Sequence, residues 1–118
     1  MLDLIARHQG FIKSFHVPLY EQEGEMLRFK AQITFINDST LFIKEYIFEN
    51  KERKYAYHWI DTSGTMICRW DNANHWPDIS TSPHHKHIDD KVSESTEISV
   101  GDVLNRITGK LENDPRPQ

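Results

Sequence analysis

The chain has 118 residues, a formal net charge of −4 and a single cysteine, Cys68. That length suits one domain, residues 1–118, with enough chain to bury a core unaided, and a lone cysteine excludes the disulfide-stapled secreted class. The acidic balance excludes a protein that coats nucleic acid by bulk charge, but it leaves room for a nuclease that holds one phosphate with a few local cations.

Such cations are present as Lys51, Arg53, Lys54, Arg69 and Lys86. A hydrophobic fraction of 37% and an aromatic fraction of 11% fit a compact fold. The first residues carry Asp3 where a signal peptide has a basic region. No segment is long and apolar enough to span a membrane. The expected setting is cytoplasmic, with no membrane partner.

Phe11 to Tyr20 alternates and is rich in β-formers, and Pro18 marks it as an edge strand. Glu21 to Gly24 reads as a turn. Residues 26–36 alternate cleanly: Leu27, Phe29, Ala31, Ile33 and Phe35 take one side, Arg28, Lys30, Gln32 and Thr34 the other. Asn37 to Ser39 is turn chemistry. Thr40 to Glu49, Lys54 to Asp61 and Thr65 to Asp71 read as three further strands. Residues 72–98 read as a long loop with a short strand near His85–Ile88, and loops of that length are often functional. Ser99 and Asp102 form a capping pair ahead of Val100, Val103, Leu104, Ile107 and Leu111 at helical spacing. The expected fold is α+β: an antiparallel meander of five or six strands, a C-terminal helix packed on one face, and a flexible tail from about residue 113.

Register places the polar residues. A three-residue loop at 37–39 sets Phe35 opposite Leu41 and Ala31 opposite Glu45, where a carboxylate needs a partner. A four-residue loop at 50–53 sets Glu45 opposite His58. A two- or four-residue loop near Ser63 brings Ile67, Arg69 and Asp71 to the face of His58. Glu45, His58, Arg69 and Asp71 are then expected to share one side of the sheet. Trp59, Cys68 and Trp70 fall on the other side, as core.

His58 titrates near neutrality, Glu45 or Asp71 could orient it, and Arg69 could clamp a phosphate. The alternative is a buried polar network that only supports the fold. Pro83-His84-His85-Lys86-His87 is the densest cluster. In an extended segment His85 and His87 point one way and His84 the other. With Asp71 they would make a divalent-metal site, although no Cys pair or HExxH motif accompanies them. Metal-free acid–base chemistry is the other functional reading. Trp76, in the loop, could stack on a base or act as a lid.

Tyr57-His58-Trp59, Arg69-Trp70-Asp71-Asn72-Ala73 and Pro83-His84-His85-Lys86-His87, together with Lys44-Glu45-Tyr46, resemble the TumE family of toxin–antitoxin toxins. The resemblance runs from about Phe11 to the C-terminal helix. It implies the toxin half of a type II pair, held by a cognate antitoxin protein. At one place the chain departs from the family pattern, which continues after Asp-Asn with a proline and two histidines. Here Asn74-His75-Trp76 stands, so Trp76 replaces the second histidine.

Read from its residue types, the chain is expected to be a ribonuclease-like phosphodiesterase with Glu45, His58, Arg69, Asp71, His85 and His87 catalytic. Asn72, His75, Trp76, His84 and Lys86 are the expected substrate contacts. No cofactor is required, and a metal, if used, would sit on Asp71, His85 and His87. The competing reading is a non-catalytic or metal-binding module for a protein partner. The exposed edge at Phe11–Tyr20 could pair with a second copy or with the antitoxin.

Overall fold

The computed structural model describes residues 2–113, and the expected tail beyond them lies outside that range. A short helix, α1 (Leu2–Arg7), and a 3-10 turn (Gln9–Phe11) precede seven strands. These are β1 (Ile12–Glu23), β2 (Met26–Phe35), β3 (Thr40–Ile47), β4 (Arg53–Ile60), β5 (Met66–Asp71), β6 (His85–Ile88) and β7 (Lys91–Glu94). Helix α2 (Val100–Asn113) closes the chain. The strands form one sheet in sequence order, every neighbour antiparallel. The sheet thus has seven strands, not five or six. The strand missed is β7, which a two-residue turn with Asp89 at φ 54° folds back onto β6. Four residues are too few to show a period.

Three hairpins use the same turn. Phe35 N bonds Ser39 O, Phe48 N bonds Glu52 O, and Asp61 N bonds Thr65 O, each at 2.9 Å. Each loop holds three residues and ends in a left-handed one: Asp38 (φ 67°), Lys51 (φ 70°) and Gly64 (φ 85°). Asn37, Asn50 and Asp61 each accept a backbone N–H two residues on. That side-chain bond makes the turn locally favourable.

These turns set the register. In the first hairpin Ile33 faces Leu41 and Phe29 faces Glu45, a two-residue shift from expectation that preserves the faces. In the second, a three-residue loop replaces the expected four. An odd shift reverses the faces, so Glu45 lies opposite Tyr55, and His58 lies opposite Phe42. Glu45 does not share the face of His58. In the third hairpin a bulge between Trp59 and Ile60 pairs His58 with Arg69, so that the two share a face as expected. Ile67, the residue left out of the ladder there, packs with the core.

One face of the sheet supplies the core: Phe29, Ile33, Phe35, Leu41, Tyr57, Trp59 and Trp70 are buried in one cluster with Val103, Leu104 and Ile107 of α2. The capping box forms as expected, Ser99 N–H to Asp102 Oδ2 at 3.0 Å and Asp102 N–H to Ser99 Oγ at 3.2 Å. Cys68 is buried, and burial pushes its thiol up to about 11.

Glu45 finds its partners within this half of the molecule. Arg53 donates Nε to Glu45 at 2.7 Å, and Nη2 to the Tyr57 hydroxyl at 2.7 Å and to Ile98 O at 2.8 Å. The Tyr57 hydroxyl also donates to Glu45 at 3.1 Å. One guanidinium therefore ties β3, β4 and the segment entering α2. Arg53→Ala should cost about 2 kcal/mol in a thermal melt, below the range for fully buried pairs because both side chains keep some contact with water. An unchanged melting temperature would show that the network carries no stability.

Candidate functional site

The other face of the sheet carries the polar alternation. By register, Phe42, His58, Arg69 and His87 stand side by side on β3, β4, β5 and β6. The next row is Lys44, Ala56, Asp71 and His85. Small Ala56 leaves a hollow, and two adjoining grooves of about 290 and 670 Å³ meet there, sharing Lys44, Ala56 and Arg69.

Asp71 is the hub of the second row. It is 5% exposed, and His85 is 1% exposed. His85 Nε2 lies 2.8 Å from Asp71 Oδ1, and its Nδ1 lies 2.8 Å from the carbonyl of Pro83. A carbonyl only accepts, so Nδ1 carries the hydrogen. Both ring nitrogens thus face acceptors, and the ring is held as a wedge beneath its neighbours. Arg69 donates Nε to Asp71 Oδ2 at 3.1 Å. His87 Nε2 stands 3.5 Å from the same oxygen, and the Ala73 N–H reaches Oδ1 at 3.0 Å. Trp76 caps the pair from the loop, its ring edge-on to His85 and His87 at 6.4 and 6.2 Å.

His58 and His87 differ in their surroundings. Burial, then Arg69 and His87, hold the His58 imidazole below its ordinary value. Its Nδ1 is buried without a hydrogen-bond partner, as suits a neutral ring. Burial also lowers His87, but the Asp71 carboxylate pulls the other way. Of the two rings, His87 is the one with a carboxylate opposing the effect of burial, its Nε2 3.5 Å from Asp71 Oδ2.

The structure gathers six of the sequence-expected residues on this face: His58, Arg69, Asp71, His85, His87 and, over them, Trp76. His75 is exposed and lines the larger groove. Three others are placed elsewhere, and Asn72 lines the larger groove with its amide already bound. Glu45 is bound by Arg53 and Tyr57. Asn72 spends its amide on β4, accepting from Tyr55 N at 3.0 Å and donating to Arg53 O at 2.7 Å. His84 stacks on Tyr55, with Nδ1 2.9 Å from its hydroxyl. Lys86 pairs with Trp70 and so lies on the core side of β6. Lys44, Tyr46 and Lys54 line the larger groove; the sequence offered Lys54 as a local cation and Lys44 and Tyr46 as part of the family resemblance, but none of them as an expected site residue. Their signal is the alternation of β3 and β4, legible once the three-residue turn is known.

Asp71, His85 and His87 each offer one ligand atom, all within 4.8 Å of one another, which is the donor number of a three-ligand cation site. The same carboxylate is already met by protein donors on both oxygens, with a guanidinium on one of them.

No helix among the described residues is long and apolar enough to cross a membrane. No curated protein and no solved structure matches the chain significantly. The family model described as toxin TumE matches residues 1–113, which contain every side chain of the two rows. The chain belongs to the toxin TumE family.

Proposed function

We propose that this chain is the toxin of a type II toxin–antitoxin pair and that it cleaves RNA by metal-free acid–base chemistry. The observation that carries the reading is the row His58, Arg69, His87 on three adjacent strands, which sets one imidazole on each side of a guanidinium. RNA supplies its own nucleophile. His58, neutral beside Arg69, takes the proton of the 2′-hydroxyl. The freed oxygen attacks phosphorus and the bond to the 5′-oxygen breaks. His87, whose proton Asp71 favours, protonates the leaving oxygen, and Arg69 neutralises the charge building on the phosphate. Asp71 and His85 position Arg69 and His87.

The test is induction in a cell without the antitoxin, with growth and total RNA followed together. The expected result is growth arrest with RNA fragments ending in 2′,3′-cyclic phosphate, and in vitro cleavage that a chelator does not change. Arrest with intact RNA would overturn the reading in favour of a binding module. Cleavage abolished by chelator would make Asp71, His85 and His87 cation ligands instead.

A pH dependence follows. His58 must be neutral and His87 protonated, and both lie below the ordinary value of 6.5. Activity falls on the acid side as His58 gains a proton and on the alkaline side as His87 loses one. The maximum of kcat/KM, which reports the free enzyme, is thus expected below pH 6.5. A flat profile from pH 5 to 8, roughly the span over which histidine titrates, would remove both histidines from the chemistry.

The partner of this reading is the cognate antitoxin protein. Strand β1 is an open edge of the sheet and shows exposed Phe15, Val17 and Tyr20. Such an edge suits strand addition by an antitoxin segment or a second copy.

A further inference from the structure

We propose that single-stranded RNA lies along the open face, its phosphates on Lys30, Lys44 and Lys54 and its bases stacked on Tyr46 and Phe48. The proposal rests on the ribonuclease reading and names the substrate form and the path that reading leaves open.

The charge distribution is the first support. The chain as a whole is at −4, yet among the described residues the only carboxylate lining either groove is Asp71. That carboxylate is already held by Arg69, His85 and the Ala73 N–H. Lys30 lines the smaller groove, Lys54 the larger, and Lys44 both. Among the described residues none of the three forms an ion pair. Three uncompensated ammonium groups and one guanidinium on an otherwise acidic protein match a polyanion. Net charge conceals this, because the acidic side chains lie elsewhere.

The aromatics are the second support, and they select the form of the polyanion. Tyr46 and Phe48 line the larger groove, and Phe48 is exposed. The two rings meet edge to face at 6.5 Å, and Lys44 Nζ lies 5.2 Å from the Tyr46 centroid. Interleaved cations and ring faces suit a strand whose bases are free to stack. A duplex hides those base faces. A-form geometry also holds each 2′-hydroxyl out of line with the bond it must displace, so the proposed chemistry needs unpaired nucleotides.

The grooves are arranged for such a strand. They meet at Arg69, the proposed phosphate clamp. One groove can take nucleotides on the 5′ side of the scissile phosphate and the other those on the 3′ side. His58 lines the smaller groove and His75 the larger one.

The experiment uses a fluorescent 2′-O-methyl oligonucleotide, which has no free 2′-hydroxyl and cannot be cleaved, with anisotropy read on the purified chain. The single strand should bind with a log–log salt slope of about −2.8, as for four phosphate contacts. The double variant Lys44→Ala/Lys54→Ala should reduce that slope by about 1.4. Tyr46→Ala should weaken binding by about tenfold. The matching duplex should bind far more weakly. Equal affinity for duplex and single strand overturns the proposal, and so does unchanged binding in all the variants. Preference for polyglutamate over the oligonucleotide would assign the face to an acidic protein segment and overturn it as well. A parent chain that binds the strand but leaves natural RNA intact sinks the ribonuclease reading alone. A parent that cleaves natural RNA, with variants that bind and cleave equally well, sinks the RNA path alone.

Discussion

Alanine at His58 or at His87 should lower RNA cleavage by roughly a hundred- to ten-thousand-fold and release the growth arrest, with folding little changed. The two losses differ in kind. His58→Ala removes the proposed acceptor of the 2′-hydroxyl proton, so the acid limb of the pH profile should disappear. His87→Ala removes the proposed donor to the leaving oxygen, so the alkaline limb should disappear. A substrate with a better leaving group than a 5′-alkoxide should rescue His87→Ala and not His58→Ala, because only the first lacks an acid. Arg69→Lys is a companion. Lysine keeps the charge and loses the planar fork, which holds Asp71 through Nε and could present its other N–H groups to a phosphate. A loss near the roughly hundred-fold typical of a missing transition-state donor is expected. Both histidines are only half-buried, so a failed fold is a poor explanation for these losses. It is checked by melting each variant. Full toxicity in both alanine variants would end the acid–base scheme.

How much of this face was legible beforehand turns on the turns. The alternation of β2 and the apolar choices along β3 fixed which residues face the core, and Trp59, Cys68 and Trp70 fell where the pattern put them. Loop length was harder. Phe48-Glu49-Asn50-Lys51-Glu52 closes around a left-handed Lys51. A lysine gives no hint of that conformation in the way glycine does at Gly64. Counting four residues in place of three moved Glu45 to the wrong face. The third hairpin shows the converse. Its three-residue loop alone would have parted His58 from Arg69, and the bulge at Ile67 reunited them. The expected shared face was right, but it arose from a different device.

The long loop was half legible. The spacing of His85 and His87 predicted their shared direction, and β6 runs where a short strand was expected. What no local pattern could supply was the role of the residues between and beside them. His84 and Lys86 belong to the far side of β6 because alternation sends them there, and Asn72 looks polar and free but continues the ladder with its side chain. The sequence motifs mark a block of residues. The sheet divides that block between its two sides: His85 and His87 stand with Asp71 and Arg69, and His84 and Lys86 turn to the side of Tyr55 and Trp70.

Asp71→Ala should be the most destabilising single change at the site, at about 3 kcal/mol, which for a chain of this size is roughly 10 °C in melting temperature. The carboxylate accepts from the Ala73 N–H, faces His85 Nε2 and receives Arg69 Nε, and it is 7% exposed at the side chain against 1% for His85. Water cannot replace it at an atom so deeply enclosed, so His85 Nε2 would be left without an acceptor. The neutral Asp71→Asn variant separates stability from chemistry. Its amide keeps the volume and one oxygen, but its NH₂ meets the Arg69 donor and repels it. A smaller loss of stability is expected than for alanine, together with a released Arg69 side chain. His87 then loses the carboxylate that opposes its burial, so its pKa falls further and the alkaline limb of kcat/KM moves to lower pH. A purely bracing role for Asp71 predicts the melting shift and leaves that limb in place. A positioning role predicts both. An Asp71→Asn enzyme with the parent's pH profile would therefore reduce Asp71 to scaffold, and an Asp71→Ala chain that melts with the parent would remove it from the scaffold as well.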